Sequence, residues 1–445
     1  MVTLRFAPSP TGKLHIGNVR TALINYLFAS AQGGRFILRI DDTDQARSTQ
    51  AYEAAIKEDL TWLGLNWAES FNQSDRFDRY QAAADRLRDM GLLYACYETS
   101  EELDRKRKIA LSRGRPPVYD RAGLDLSVEA RAALEGEGRR PHWRFKLSGG
   151  RVDWVDLVRG AQSIDTHSLS DPVLIRDDGS FLYTLPSVVD DIDYQISHIV
   201  RGEDHVTNSG AQIEIIQALG GTPPEMAHTS LLIGADGAAL SKRLGSLSMD
   251  VLREQGIEPM AICSLLAKLG TSENIEPRAS LGELAAEFGF DKFGRAPARF
   301  DEAELKRLNA AFIREKSFAD MQMDLAAIDQ RAVQDPAFWE TVKANCETVQ
   351  DIRPWIEIVY GVIAPVIAEE DRAYIEDAIA LLPELEFGDG AWRAWTAALK
   401  EKTGRKGKAL FMPLRKALTG LGYGPDMSAL LPLMGRERAK TRLDG

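Results

Sequence analysis

Apolar and polar positions in the first forty residues outline one β-α-β unit. Leu4 to Ala7 reads as a short strand, and Pro8-Ser9-Pro10-Thr11-Gly12 is a turn cluster that cannot prolong it. Val19, Leu23, Tyr26, Leu27 and Ser30 then recur close to helical spacing until Gly33-Gly34 supplies a stop. Phe36-Ile37-Leu38 is the second strand. Asp41-Asp42-Thr43-Asp44 stands just past its carboxyl end, where open parallel sheets gather their ligands.

Residues 51–112 carry a mainly helical pattern, and residues 113–140 are polar with Gly and Pro breakers. The character changes over 141–200. Trp143-Arg144-Phe145, Val152 to Val158, Val173-Leu174-Ile175 and Phe181-Leu182-Tyr183 are strand candidates between turn residues, and Ile196 to Val200 reads as a buried strand. From about residue 250 nearly every segment reads as helix. The order predicts α/β structure opened by a β-α-β unit in the first half of the chain, and a helical C-terminal half.

Length bounds this picture. At roughly 100–200 residues per domain, 445 residues make two to four domains. No stretch approaches the roughly 18 apolar residues of a membrane span, and the first residues lack signal-peptide architecture. Cys96, Cys263 and Cys346 are too scattered for a disulfide framework or a four-cysteine metal site. A reducing, cytoplasmic location is therefore expected, with no membrane partner.

A net charge of −11 argues at first against a polyanionic partner, but the charge is segregated. Residues 369–389 hold eight acids and one base, whereas residues 400–445 hold eleven bases and four acids. Arg105-Lys106-Arg107-Lys108, with Arg113 and Arg115, forms a second basic group. Such runs usually mark a solvated helix face; several on an acidic chain also suit an extended polyanion.

Two segments carry candidate chemistry. His15-Ile16-Gly17-Asn18 follows the first strand and opens the first helix, whose N-terminus offers N–H groups and a positive dipole end to phosphate. Gly17 leaves room for a base or ribose to approach the backbone, and His15 can donate to a phosphate oxygen. More than 220 residues later, Ala239-Leu240-Ser241-Lys242-Arg243 follows a Gly/Ala-rich stretch, where adjacent cations can close on a triphosphate. No Gly-x-x-x-x-Gly-Lys-Ser/Thr is present, which excludes a P-loop.

Arg5-Phe6-Ala7-Pro8-Ser9-Pro10-Thr11-Gly12-Lys13-Leu14-His15-Ile16-Gly17-Asn18 resembles the opening of bacterial glutamyl-tRNA synthetases, with their form of the class I "HIGH" signature. Leu38-Arg39-Ile40-Asp41-Asp42-Thr43-Asp44, Asp190-Asp191 and Val200-Arg201-Gly202-Glu203-Asp204-His205 are similar to further blocks of that family, in the same order. Leu240-Ser241-Lys242-Arg243 resembles its "KMSKS" loop, and Met412-Pro413-Leu414-Arg415 its anticodon-binding end.

The resemblance implies a class I glutamate–tRNA ligase, a cytoplasmic monomer using ATP with Mg2+, L-glutamate and tRNA. Its first step characteristically requires bound tRNA. The implied Rossmann-type catalytic domain spans 1–77 and 186–205. Residues 78–185 would be an inserted acceptor-stem-binding domain, 206–310 a stem-contact region with the KMSKS-like loop, and 311–445 a helical anticodon-binding region. His15, Gly17 and Lys242 would be catalytic. ATP would meet His15, Gly17, Asn18, Ser241, Lys242 and Arg243. Glutamate would meet Arg5, Ser9, Asp41, Tyr183 and Arg201, with Arg5 and Arg201 on carboxylate and Asp41 on the α-ammonium.

Departures from the family pattern are specific. Ala239 stands where lysine is common, Ser187 where asparagine is common, and Asp41 where glutamate is common. Cys96-Tyr97-Glu98 keeps one cysteine of the family's zinc site and Tyr119-Asp120-Arg121 keeps no ligand pair, so no structural zinc is expected. Trp355, Trp392, Trp395 and Phe411 could stack on anticodon bases, although the tryptophans at helical spacing fit a core better. The same active-site residues would serve an enzyme that places glutamate on glutamine tRNA. Retained His15, Lys242, Arg5 and Arg201 speak against a noncatalytic RNA-binding paralogue.

Overall fold

The computed structural model describes residues 1–238, 240, 247–382, 387–388 and 390–445. It divides into two compact units, Met1–Val251 with Ile262–Asp301, and Leu252–Ala261 with Glu302–Gly445. In the first unit, β1 (Thr3–Phe6), β2 (Arg35–Ile40) and β3 (Glu69–Asn72) form a parallel sheet in that order. Helices Ile16–Ala31 and Gln50–Trp62 make the crossovers. The first helix buries Ile16, Val19, Leu23 and Leu27 completely. Its end is set by Gly33, whose φ of +57° favours glycine and whose amide reaches back to the Ser30 carbonyl.

An antiparallel sheet joins β4 (Leu93–Cys96) to β5 (His142–Phe145). The next pair, β6 (Arg151–Asp156) and β7 (Gly160–Asp165), is a hairpin, and β8 (Val173–Ile175) returns to the free edge of β5. Then β9 (His198–Gly202) and β10 (Glu225–Thr229) pair in parallel, and β10 also meets β6, giving the order β7-β6-β10-β9. The Ser197 amide donates to the Thr3 carbonyl at 3.0 Å, which ties this sheet to β1. A short parallel pair, β11 (Leu232–Gly234) with β12 (Ala298–Phe300), completes the strands among the described residues. One apolar cluster runs from Tyr80 and Leu87 through Phe145 and Leu174 to Val188 and Ile215, so residues of the expected insertion share a core with helices Thr184–Asp193 and Val206–Ala218.

Several elements depart from the sequence pattern. The helical stretch 51–112 contains β3 and β4. Neither strand is longer than four residues, and Glu69–Asn72 is polar and half exposed, so no apolar run marks it. The polar segment 113–140 contains an exposed helix, Val128–Gly136, capped by Ser127. Phe181-Leu182-Tyr183 is no strand: Phe181 makes one bridge to Ile175, and the chain turns at Tyr183 into helix Thr184–Asp193. Pro186 is accommodated in the first turn of that helix, where a missing N–H costs nothing. The strand expected over 152–158 stops at Asp156, whose carboxylate accepts from the Val158 and Arg159 amides and bends the chain.

The second unit is helical throughout, from Glu302–Glu315 to Arg436–Asp444. Trp339, Trp355 and Trp395 are buried in its core, Trp392 packs at its edge, and Phe411 is half exposed. The tryptophan expectation therefore holds for Trp355 and Trp395. Part of the basic tail is structural: Arg438 and Arg442 donate to the carbonyls of Val359, Met434, Leu418 and Gly361, and Arg405 pairs with Asp371. Lys400, Lys406, Lys408, Lys416 and Lys440 are exposed, with no ion pair among the described residues. No helix of the described chain is long and apolar enough to cross a membrane.

Candidate active site

A cavity of about 980 Å³ opens at the carboxyl ends of β1, β2, β9 and β10. Arg5, Ser9, His15, Gly17, Asn18, Asp41, Tyr183 and Arg201 all line it, so residues expected from distant motifs share one wall system. Ser241, Lys242 and Arg243, with Ala239, lie outside the described residues; Leu240 does line the cavity.

The first helix begins differently from the sequence picture of free amides. His15 is its N-cap, and His15 Nδ1 accepts from the amides of Gly17 at 3.1 Å and Asn18 at 3.4 Å. Ile16 N–H donates to the Leu247 carbonyl and Val19 N–H to the His15 carbonyl. The first amides are thus paired within the structure, with His15 as their cap. Because Nδ1 is an acceptor, a neutral His15 carries its proton on Nε2, and burial keeps its pKa below the ordinary histidine value. Asn18 Oδ1 returns a bond to the His15 amide. A Cβ on Gly17 would stand 3.1 Å from the His15 ring, so the glycine makes room for its own cap.

The opposite wall is a buried charge cluster. Arg5 Nε lies 2.9 Å from Asp191 Oδ1. Arg39, almost fully buried, holds Asp191 at 3.0 Å, the Ser187 hydroxyl at 3.1 Å, and Asp41 through Nε and Nη2 at 2.6 and 3.1 Å. Burial pushes the Asp41 carboxyl upward while the Arg39 fork pulls it down. Asp190 turns the other way, toward Gln73, Arg76 and Tyr80. Tyr183 is half exposed, and its hydroxyl accepts from Asn208 Nδ2 at 2.6 Å.

Arg201 differs from Arg5 and Arg39. Its Nε donates to His228 Nε2 at 3.1 Å and its Nη2 to the Ser209 hydroxyl at 2.8 Å. Among the described residues no carboxylate pairs with it. Burial, then the neighbouring Arg5 charge, bring its pKa down to about 10, so it remains a cation facing the cavity. Arg39, Ser209, His228 and Asp156 were not singled out from sequence. Only Arg39, on β2 two residues before Asp41, offered a local signal.

In the β4-β5 region, Cys96 stands opposite His142 in register, and donor atoms of Cys96, Glu98 and His142 lie within 4.8 Å of one another. The Tyr119 hydroxyl is 3.0 Å from Glu98 Oε1 and 3.3 Å from Cys96 Sγ. Burial pushes the Cys96 thiol up to about 11, which keeps it protonated. On helix Ser100–Ser112, which buries no residue, Lys106 is paired with Glu98 and Asp120. Arg105, Arg107 and Lys108, with Arg113 and Arg115 beyond the helix, have no carboxylate partner among the described residues.

The family description "tRNA synthetases class I (E and Q), catalytic domain" matches residues 1–307, and "Anticodon binding domain" matches residues 283–445. Glutamate–tRNA ligase 2 of Hyphomonas neptunium is 66% identical over 440 residues, covering 99% of each chain. Glutamate–tRNA ligase 1 of Maricaulis maris is 58% identical over 446 residues, covering 100% of this chain and 99% of its own. The crystal structure of a glutamate tRNA ligase from Elizabethkingia meningosepticum in complex with its amino acid is similar with a TM-score of 0.86 at 29% identity. That match covers 100% of this chain and 98% of the other.

Proposed function

The chain belongs to the glutamate–tRNA ligases of the class I tRNA synthetases, and from that premise we propose how its cavity divides the work. Arg201, a half-buried cation with no carboxylate partner among the described residues, draws in a substrate carboxylate, and this single observation carries the assignment. Arg5, whose charge is shared with Asp191, adds direction, and Asp41 receives the α-ammonium with Ser9 and Tyr183 beside it. A glutamate carboxylate oxygen then attacks the α-phosphorus of ATP. The bond to the bridging oxygen breaks, pyrophosphate leaves, and glutamyl-adenylate forms. His15 Nε2–H donates to a phosphate oxygen as charge grows there, beside Gly17 and Asn18. Lys242, with Ser241 and Arg243, neutralises the departing pyrophosphate. A ribose hydroxyl of the tRNA 3′-terminal adenosine then attacks the activated carbonyl and AMP leaves.

Magnesium would accompany ATP as a charge partner for its phosphates. In this reading the protein takes no structural zinc. Cys96, Glu98 and His142 supply three donors, with the Tyr119 hydroxyl already bonded between Cys96 and Glu98, and so fall short of the four-donor set that structural zinc takes. Equimolar zinc in purified protein by elemental analysis would overturn that part.

The same reading assigns residues 78–185 to the tRNA acceptor end, 206–310 to the stem and 311–445 to the anticodon, in a cytoplasmic monomer charging glutamate tRNA. Aminoacylation of purified glutamate and glutamine tRNAs tests it. Charging of glutamine tRNA alone would replace the proposed substrate. Unchanged tRNA-dependent pyrophosphate exchange in Lys242→Ala would remove the catalytic role of that loop.

A further inference from the structure

Arg201 is held by a chain of groups that reaches a different part of the fold. His228 on β10 is fully buried, and its Nδ1 lies 2.5 Å from Asp156 Oδ2 at the end of β6. Asp156 Oδ1 accepts from the backbone amides of Val158, Arg159 and His228 at 2.9–3.2 Å. With these bonds and no solvent contact, Asp156 is satisfied as an anion, and it fixes the imidazole with its proton on Nδ1. The Nε2 lone pair is then free to accept from Arg201 Nε, and the Ser209 hydroxyl, 3.1 Å from that nitrogen, accepts from Arg201 Nη2. The other histidine tautomer would set an N–H against the guanidinium.

We infer that Asp156 and His228 are positioning residues for Arg201, which orient its guanidinium through uncharged acceptors and so leave its positive charge for the substrate. An aspartate in direct contact would orient Arg201 equally well but would cancel that charge, as Asp191 does for Arg5. The carboxylate that balances Arg201 is the ligand's own, and a neutral amide in its place gains no such attraction. The dyad thereby favours glutamate over glutamine. Burial, which lowers the pKa of His228 against the pull of Asp156, acts in the same sense as the surrounding cations Arg201 and Arg159.

The inference rests on the assignment of Arg201 to a substrate carboxylate, and the test separates the two. Full-length protein is assayed by tRNA-dependent ATP–pyrophosphate exchange with glutamate, and with glutamine as competitor. His228→Leu and Asp156→Asn are expected to raise the KM for glutamate about tenfold or more. The KM for ATP stays within about twofold, and inhibition by glutamine relative to glutamate strengthens. His228→Gln, which retains an acceptor, recovers part of the loss. Ser209→Ala removes only a hydroxyl and raises the same KM by a smaller factor, which keeps the test open should the buried variants fail to fold. Unchanged glutamate KM in these variants beside a raised value in Arg201→Ala overturns the inference alone. Unchanged glutamate KM in Arg201→Ala overturns the assignment with it. Parallel changes in both KM values and kcat assign the dyad a merely structural role and also overturn the inference.

Discussion

Arg39 grips the carboxylate of Asp41, two residues farther along the chain, with Nε at 2.6 Å from one oxygen and Nη2 at 3.1 Å from the other. The same guanidinium holds Asp191, which in turn holds Arg5, so one buried cation stands between Asp41, which lines the cavity, and Asp191. Deleting one partner of such a cluster strands the rest in a poor solvent for charge. Arg39→Ala should cost about 3–5 kcal/mol in chemical denaturation. Asp41→Asn should cost less and raise the glutamate KM, because it removes a charge that the substrate ammonium needs.

His15 has two separable tasks, since Nδ1 caps the helix and Nε2 faces the cavity. Asparagine is a good cap without the second donor, and alanine is neither. His15→Asn and His15→Ala should both slow pyrophosphate exchange about 10²-fold or more. Only the alanine variant should lose a further ~1 kcal/mol of stability by denaturation.

Burial lowers the pKa of His15, His142, His198, His205 and His228 below the ordinary value. Each therefore holds a proton more readily in the unfolded chain than in the native one. Stability rises with pH wherever the unfolded state binds more protons. The contribution is fully present above about pH 6.5 and is lost as pH falls below it toward the native pKa values. Thermal unfolding between pH 7.5 and 5 should show a constant midpoint at the upper end and a declining one below about 6.5.

The exposed helix Ser100–Ser112 offers a graded test of tRNA contact. Lys106 is internally paired, whereas Arg105, Arg107 and Lys108 have no carboxylate partner among the described residues. Filter binding of glutamate tRNA across a salt series should show alanine at any of the three unpaired positions weakening binding and flattening the salt slope by about 0.7–0.9. Lys106→Ala should leave that slope nearly unchanged.

What was legible in sequence was local. His15-Ile16-Gly17-Asn18 is contiguous, and its place at a strand-to-helix turn follows from the apolar period. The ends of β1 and β2 follow from the same pattern, so Arg5 and Asp41 could be placed at a common edge. The Arg201 cradle was not legible, because Asp156, Ser209 and His228 meet only through the order β6-β10-β9 and helix Val206–Ala218. No spacing rule relates positions 72 residues apart, as Asp156 and His228 are. His15 as its own helix cap was likewise hidden, since histidine is not among the residues expected there. The charge tally misled where arginines of the basic tail turned inward to carbonyls, as Arg438 and Arg442 do.

The pairing of Arg5 with Asp191 spans 186 residues of sequence, and the Arg201 cradle closes only when β10 is in place. A ribosome must therefore release more than two-fifths of this chain before its first strand meets the partner that balances it, and more than half before the Arg201 cradle can close. Until then the nascent polypeptide carries the pieces of a glutamate pocket without a pocket. Loop-closure entropy, and not any local preference, sets the moment at which the site comes into being.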